Sequence, residues 1–157
     1  MNIMEKVDEL DKKILEVITL NARIPFKDVA DVCGVSRAAI HQRVQRLMDI
    51  GVIVGSGYHV NPRMLGFRTC TYVGLSLAKG SMYKEVVEEL KKIPEIVEAH
   101  FTTGNYSVII KLYARDNEHL MNLLNERIQE IPGVLNNETM ISLDQSIKKE
   151  IPVGSAE

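Results

Sequence analysis

An internal duplication in the second half of the chain constrains the fold more than any other feature. Ile93-Pro94-Glu95-Ile96-Val97 returns 38 positions later as Ile131-Pro132-Gly133-Val134-Leu135, and each copy holds the same place in a strand, helix, strand unit. In the first unit, residues 69–77 read as a strand, 82–92 as a helix and 96–103 as a strand. The second repeats the order: a β-rich run at 106–114, a helix at 117–130 carrying Leu120, Leu124 and Ile128, and a closing strand at 134–143. Two such units in tandem give βαββαβ, the arrangement of a ferredoxin-like domain, so the class is α+β. Both helices then cover one face of a four-stranded sheet. The other face stays open, and by alternation it carries Tyr72, Ile109 and Tyr113, a surface apolar enough to predict self-association.

The first half follows a helical period instead. Leu10, Ile14 and Ile18 form one stripe, with Asp8 placed to cap the helix and Asp11 in its first turn. Pro25 suits the start of a second helix whose buried side is Phe26, Val29, Ala30 and Cys33. Gly34 can take the left-handed conformation that closes a helix, and Ser36 can accept N–H bonds at the start of the next. That third helix is predicted over 37–48, with Ile40, Val44 and Leu47 inward and Gly51 ending it. Glycines then interrupt the chain as far as Gly57, and Asn61-Pro62 breaks any helix that might follow. The domains are therefore placed at 1–60 and 61–157, with Tyr58-His59-Val60 as a short connecting strand and 64–67 as a brief turn.

Helix, glycine turn and capped helix is the layout of a helix-turn-helix, and the third helix carries groups suited to DNA. With Ile40 inward and about 100° per residue, Ala38, His41, Gln42 and Gln45 point outward, while Arg43 and Arg46 fall on the two flanks. Gln42 can bond adenine through two hydrogen bonds and Ala38 can touch a thymine methyl, while Arg37, Arg43 and Arg46 can anchor phosphates. The DNA-facing set is thus Ser36, Arg37, Ala38, His41, Gln42, Arg43, Gln45 and Arg46, with a solvated polar face as the plain alternative. Charge is focused on this segment. Arg23 to Arg46 holds five basic residues against two acidic ones, although the whole chain carries a formal charge of −2.

Composition removes other classes. Hydrophobic residues at 45% and charged residues at 25% describe a chain able to bury a core. No apolar run approaches a membrane span, and Met1 to Asp8 has no signal-peptide pattern, so a cytoplasmic location is expected. Cys33 and Cys70 stand apart without metal-ligand spacing and are read as reduced core residues. An enzyme is the first rival, because ferredoxin-like domains host many chemistries. Yet His41, His59, His100 and His119 have no triad spacing, and no phosphate-binding loop or metal motif is present. A second rival is an architectural protein that bends DNA with little sequence preference.

The residues reached so far resemble the leucine-responsive and asparagine-responsive regulators, the Lrp/AsnC or feast/famine family. The resemblance rests on Leu10-Asp11-x-x-Ile14-Leu15, Asn21-Ala22-Arg23, Gly34-Val35-Ser36, Arg43-Val44-x-Arg46-Leu47 and Gly51-Val52-Ile53, and continues to about Pro152. It implies a winged-type helix-turn-helix followed by a ferredoxin-like (RAM) domain that binds double-stranded DNA, in dimers built through the open sheet faces and commonly assembled into octamers. It also implies an amino-acid effector held between subunits, with no other cofactor. Thr102-Thr103-Gly104-Asn105-Tyr106-Ser107, followed by Ile110-Lys111, looks most like the asparagine-responsive branch. Most of the family resembles Gly-acidic-Tyr-Asp at this turn, whereas this chain has Asn105 and Ser107, a departure that favours asparagine over a leucine-type ligand. The alternative within the family is a global or nucleoid-architectural protein with a different amino-acid effector.

Within that turn, Gly104-Asn105 fits a two-residue hairpin loop, which by itself accounts for the glycine. It does not account for the hydroxyls of Thr102, Thr103, Tyr106 and Ser107 beside loop N–H groups, a set able to satisfy a carboxylate and a side-chain amide. Gln129 joins the effector candidates by resemblance, with a solvated helix residue as the alternative.

Overall fold

A computed structural model describes residues Val7–Gly154. The N-terminal stretch that lacks a signal-peptide pattern lies outside the described residues except for Val7 and Asp8, as do 155–157. The chain divides into two compact units. The first runs to His59 and takes in the segment from Ile147 onward, which the sequence alone places in the second half; the second is Val60–Ser146.

In the first unit, α1 is Glu9–Leu20, α2 is Phe26–Cys33 and α3 is Arg37–Asp49. Asp8 starts α1 reciprocally: its carboxylate accepts the Asp11 N–H at 2.8 Å, and the Asp11 carboxylate accepts the Asp8 N–H at 3.0 Å. Pro25 is the N-cap of α2 rather than its first helical residue. Gly34 closes α2 at φ 69°, where a side chain would be strained, and the Ser36 hydroxyl accepts the Ala39 N–H at 3.1 Å to open α3. Ile14, Val29, Ala30, Ile40 and Val44 form the shared core, with Leu10, Ile18, Phe26 and Cys33 half-buried against it. Tyr58, His59 and Val60 are not a strand. A strand needs a partner edge to satisfy its backbone, and the described part of this unit contains none. Tyr58 packs its ring against Arg23 instead, 5.5 Å from guanidinium carbon to ring centroid.

Near the start of the second unit, Asn61-Pro62 starts a short helical turn rather than breaking one. The Asn61 side chain accepts the Arg63 N–H at 3.0 Å, and Pro62–Leu65 forms a 3-10 turn. Its strands are β1 (Thr69–Leu77), β2 (Ile96–Phe101), β3 (Val108–Ala114) and β4 (Val134–Ser142), all antiparallel to their neighbours in the order β2-β3-β1-β4. Helix α4 (Tyr83–Leu90) follows β1, and α5 (Asn117–Asn122) follows β3. This is the βαββαβ domain expected from the duplication. Val73, Leu75, Leu77, Val108, Ile110 and Leu112 face the helices and bury against Val86, Leu90, Leu120, Leu123 and Ile128.

One helix differs from the periodic reading. After Asn122 the chain winds as a π-helix over Leu123–Ile128, marked by the Gln129 N–H donating to the Leu124 carbonyl at 2.9 Å. The wider turn aligns positions five apart, so Leu123 and Ile128 are buried together and Leu124 is only half-buried. Among the described residues no helix is long and apolar enough to cross a membrane.

Candidate DNA-contacting helix and effector loop

The exposure of α3 matches a helix with one face free. Ile40, Val44 and Leu47 are buried, whereas Ser36, Arg37, Ala38, His41, Gln42 and Gln45 are exposed. Gln42 lies at the centre of that face. His41 rests on Phe26 with ring centroids 4.5 Å apart, and Gln45 donates to Asp49 at 2.9 Å, so both are partly engaged within the unit.

Arg43 and Arg46 turn toward the start of α1. Arg43 hydrogen-bonds and ion-pairs with the Asp8 carboxylate and reaches the Asp11 carboxylate at 3.2 Å, while Arg46 pairs with the other Asp11 oxygen. Asp11 is fully buried, and its two oxygens receive two guanidinium groups and the Asp8 backbone N–H. A buried carboxylate is tolerable only when it is paired and hydrogen-bonded in this way. The Arg43 guanidinium beside Asp8, aided by the Asp11 N–H, holds the Asp8 carboxyl down at about 2. Local charge counting does not reveal this network, because its partners lie more than 30 residues apart. Its trace is the matching i, i+3 spacing of Asp8 and Asp11 and of Arg43 and Arg46.

In the second unit, the connection from β2 to β3 spans residues 102–107, longer than the two-residue hairpin expected. The Thr102 N–H donates to the Ser107 carbonyl at 3.0 Å and the Thr102 hydroxyl to the Tyr106 carbonyl at 2.8 Å, closing the loop. Gly104 sits at its tip at φ 105° with open space around a would-be Cβ, so the glycine is required by backbone conformation rather than by crowding. Thr103, Gly104 and Asn105 are exposed; Thr102, Tyr106 and Ser107 are half-buried.

Tyr106 is not available as a simple loop hydroxyl. Its ring lies across Gly74 in the middle of β1, where a Cβ would meet three ring carbons at 2.6–2.8 Å, and its hydroxyl donates to Glu138 on β4. The Glu138 hydrogen bond raises the phenol above its ordinary value. Sequence reasoning missed Gly74 and Glu138. The available signal is a glycine in an otherwise strong strand, which marks a close approach. Thr102 and Tyr106 spend their hydroxyls inside the domain, whereas those of Thr103 and Ser107 have no hydrogen bond among the described residues.

Gln129 lies at the same end of the sheet, beyond β1. It donates to the Leu135 carbonyl at 3.1 Å and accepts from Asn137 at 2.7 Å, and Leu75 pairs with Asn137 on one side and Val108 on the other. A cavity of about 400 Å³, lined by Glu95, Arg115, Asp116, Glu118, His119 and Asn122, is at the opposite end. It contains none of the effector candidates.

The open sheet face carries Tyr72, Ile109 and Tyr113 as expected, with a cation among them. Lys111 has its ammonium 5.8 Å from the Tyr72 ring centroid, 5.6 Å from that of Tyr113 and 3.7 Å from Glu98. Burial pulls its pKa down, but Tyr113, Tyr72 and Glu98 together outweigh that and raise it.

A capped helix after a glycine turn in one unit and a ferredoxin-like unit with a glycine-tipped loop in the other define a helix-turn-helix protein with an appended ferredoxin-like domain. Comparison with known proteins makes this specific. Residues 7–54 match the winged helix-turn-helix DNA-binding family and residues 70–152 the Lrp/AsnC ligand binding domain. The chain is 36% identical over 148 residues to the regulatory protein AsnC of Haemophilus influenzae, covering 94% of this chain and 99% of that one. The Escherichia coli AsnC protein is 34% identical over 145 residues, covering 92% and 95%. A solved structure of E. coli AsnC superposes with a TM-score of 0.88 at 34% identity, covering 93% of this chain and 98% of that one. The chain therefore belongs to the Lrp/AsnC family of DNA-binding transcriptional regulators. Membership sets aside the enzymatic alternative raised by the fold.

Proposed function

We propose that the protein is a sequence-specific regulator of amino-acid metabolism whose DNA binding or assembly responds to a small amino acid, with asparagine the favoured effector. The observation that carries this reading is the 102–107 loop, where a left-handed Gly104 turns the backbone and the Thr103 and Ser107 hydroxyls are left without a hydrogen-bond partner among the described residues. A serine hydroxyl both donates and accepts, so Ser107 suits a neutral side-chain amide. Thr102 and Tyr106 hold the loop in shape rather than offering their hydroxyls, and Asn105 and Gln129 complete the candidate set. Similarity to AsnC proteins supports the asparagine assignment.

Within α3, Gln42 and Ala38 read bases, Ser36, His41 and Gln45 line the groove, and Arg37 with Arg43 and Arg46 faces phosphate. Homodimers form through the open sheet face carrying Tyr72, Ile109, Lys111 and Tyr113, and associate further into octamers, so that the exposed loop of one subunit is covered by another. The regulator acts where the DNA is, in the cytoplasm. Titration calorimetry with asparagine, glutamine and leucine tests the effector. Saturable heat from asparagine, abolished by Gly104→Val and weakened by Ser107→Ala, is expected. Heat from leucine alone refutes the assignment.

A further inference from the structure

The ion pairs between α1 and α3 have a consequence for DNA affinity. Two of the three arginines that α3 could offer to phosphate already carry carboxylates, and one of those carboxylates cannot leave. Asp11 is fully buried and locked to Asp8, each carboxylate accepting the other residue's backbone N–H. A phosphate that takes Arg43 and Arg46 away strips a buried anion of its counter-charges, which is far costlier than releasing a solvated pair. Asp8 is the looser partner, with 55% of its side chain exposed, and it is held by Arg43.

We propose that Asp8 and Asp11 are specificity-determining residues that compete with DNA phosphate for Arg43 and Arg46, holding down sequence-independent affinity. This rests on the assignment of α3 as the recognition helix. The carboxylates neutralise the flank of α3 nearest α1, so the face that remains strongly attractive is the one bearing Arg37 and Gln42. Binding to random DNA, which depends almost wholly on cations, is weakened more than binding that also gains base contacts. The pairs also tie α3 to the start of α1, because both arginines bond carboxylates there.

The test uses the full chain on a random-sequence duplex, followed by fluorescence anisotropy across a salt series, for wild type, Asp8→Asn and Asp11→Asn. Asn is as good an N-cap as Asp, so Asp8→Asn removes charge while keeping the oxygen that accepts the Asp11 N–H. That variant carries the test even where Asp11→Asn disturbs folding. Asp8→Asn should bind random DNA roughly threefold more tightly per recognition helix engaged and steepen the salt dependence by up to about 0.9 per helix. Adding Arg43→Ala should abolish that gain. A salt slope unchanged or shallower in Asp8→Asn overturns the proposal, since a purely structural role would lower affinity without steepening the slope. Arg37→Ala separates the two readings. If it shallows the slope while Asp8→Asn leaves it unchanged, α3 contacts DNA and the competition fails. If neither moves the slope, the assignment of α3 falls, and the competition with it.

Discussion

Replacing Gly74 by Ala tests the packing that links the 102–107 loop to the sheet. The new Cβ would stand 2.6–2.8 Å from Cγ, Cδ1 and Cδ2 of Tyr106, against about 3.5–4.0 Å for carbon atoms in contact. Tyr106 must retreat by about 1 Å against the tether of its carbonyl to the Thr102 hydroxyl, which shifts its hydroxyl relative to Glu138. Overpacking of this kind costs about 1–3 kcal/mol. Loss of an exposed hydrogen bond adds less than about 1 kcal/mol, and Ala regains roughly 0.5–1 kcal/mol of backbone entropy over Gly within a strand. The net expectation is a destabilisation centred near about 2 kcal/mol, or a fall in Tm on the order of 8–16 °C for a domain of this size.

The Tyr106→Ala background supplies the decisive arm. With no ring to strike, Gly74→Ala should be neutral or stabilising by about 0.5 kcal/mol, giving a coupling energy near 2 kcal/mol between the two positions. Thermal unfolding followed by circular dichroism, at one protein concentration for all four chains, measures it. Equal destabilisation by Gly74→Ala with and without the Tyr106 ring would mean that the ring contact is not what requires the glycine.

Two further outcomes are expected. Asp8 has a folded-state pKa of about 2 against an ordinary 3.8, so its contribution to stability is present above pH 3.8 and lost as pH falls toward 2; urea midpoints measured across that window should decline less steeply in Asp8→Asn. Gln42→Ala should cost about 1–3 kcal/mol on a specific site and little on random DNA, and equal losses on both, read by anisotropy, would mean that the recognition helix is rotated so that Gln42 no longer faces the bases.

How much of the fold is legible in the sequence depends on whether a feature is periodic or local. The duplication at Ile93-Pro94 and Ile131-Pro132 defines both βαβ units, and β1 is located at 69–77, where the structure has Thr69–Leu77, because a period-two run bounded by turns is unambiguous. The cap at Asp8, the close at Gly34 and the outward set on α3 follow from short-range stereochemistry and are legible for the same reason. The π-turn is not. A period of 3.6 is assumed when a stripe is drawn through Leu120, Leu124 and Ile128, and five-residue alignment of Leu123 with Ile128 violates it. The β2–β3 loop reads too short because Gly104-Asn105 suits a tight hairpin, whereas Thr102, Tyr106 and Ser107 extend it through bonds of their own. Arg43 and Arg46 look like phosphate anchors because only their spacing and charge are visible in sequence. Their carboxylate partners enter through tertiary packing of α1 against α3.

If a small amino acid bound at the 102–107 loop changes how α3 engages DNA, the effect must appear in the DNA-binding isotherm itself. The decisive measurement is that isotherm for the full chain on a duplex selected from a random pool, read by anisotropy at fixed salt with and without saturating asparagine. A shift of the midpoint is predicted in the wild type and none in Gly104→Val, with the variant's isotherm matching the unliganded wild type. Superimposable wild-type isotherms, under conditions where calorimetry shows the site filled, would contradict the coupling of effector to DNA.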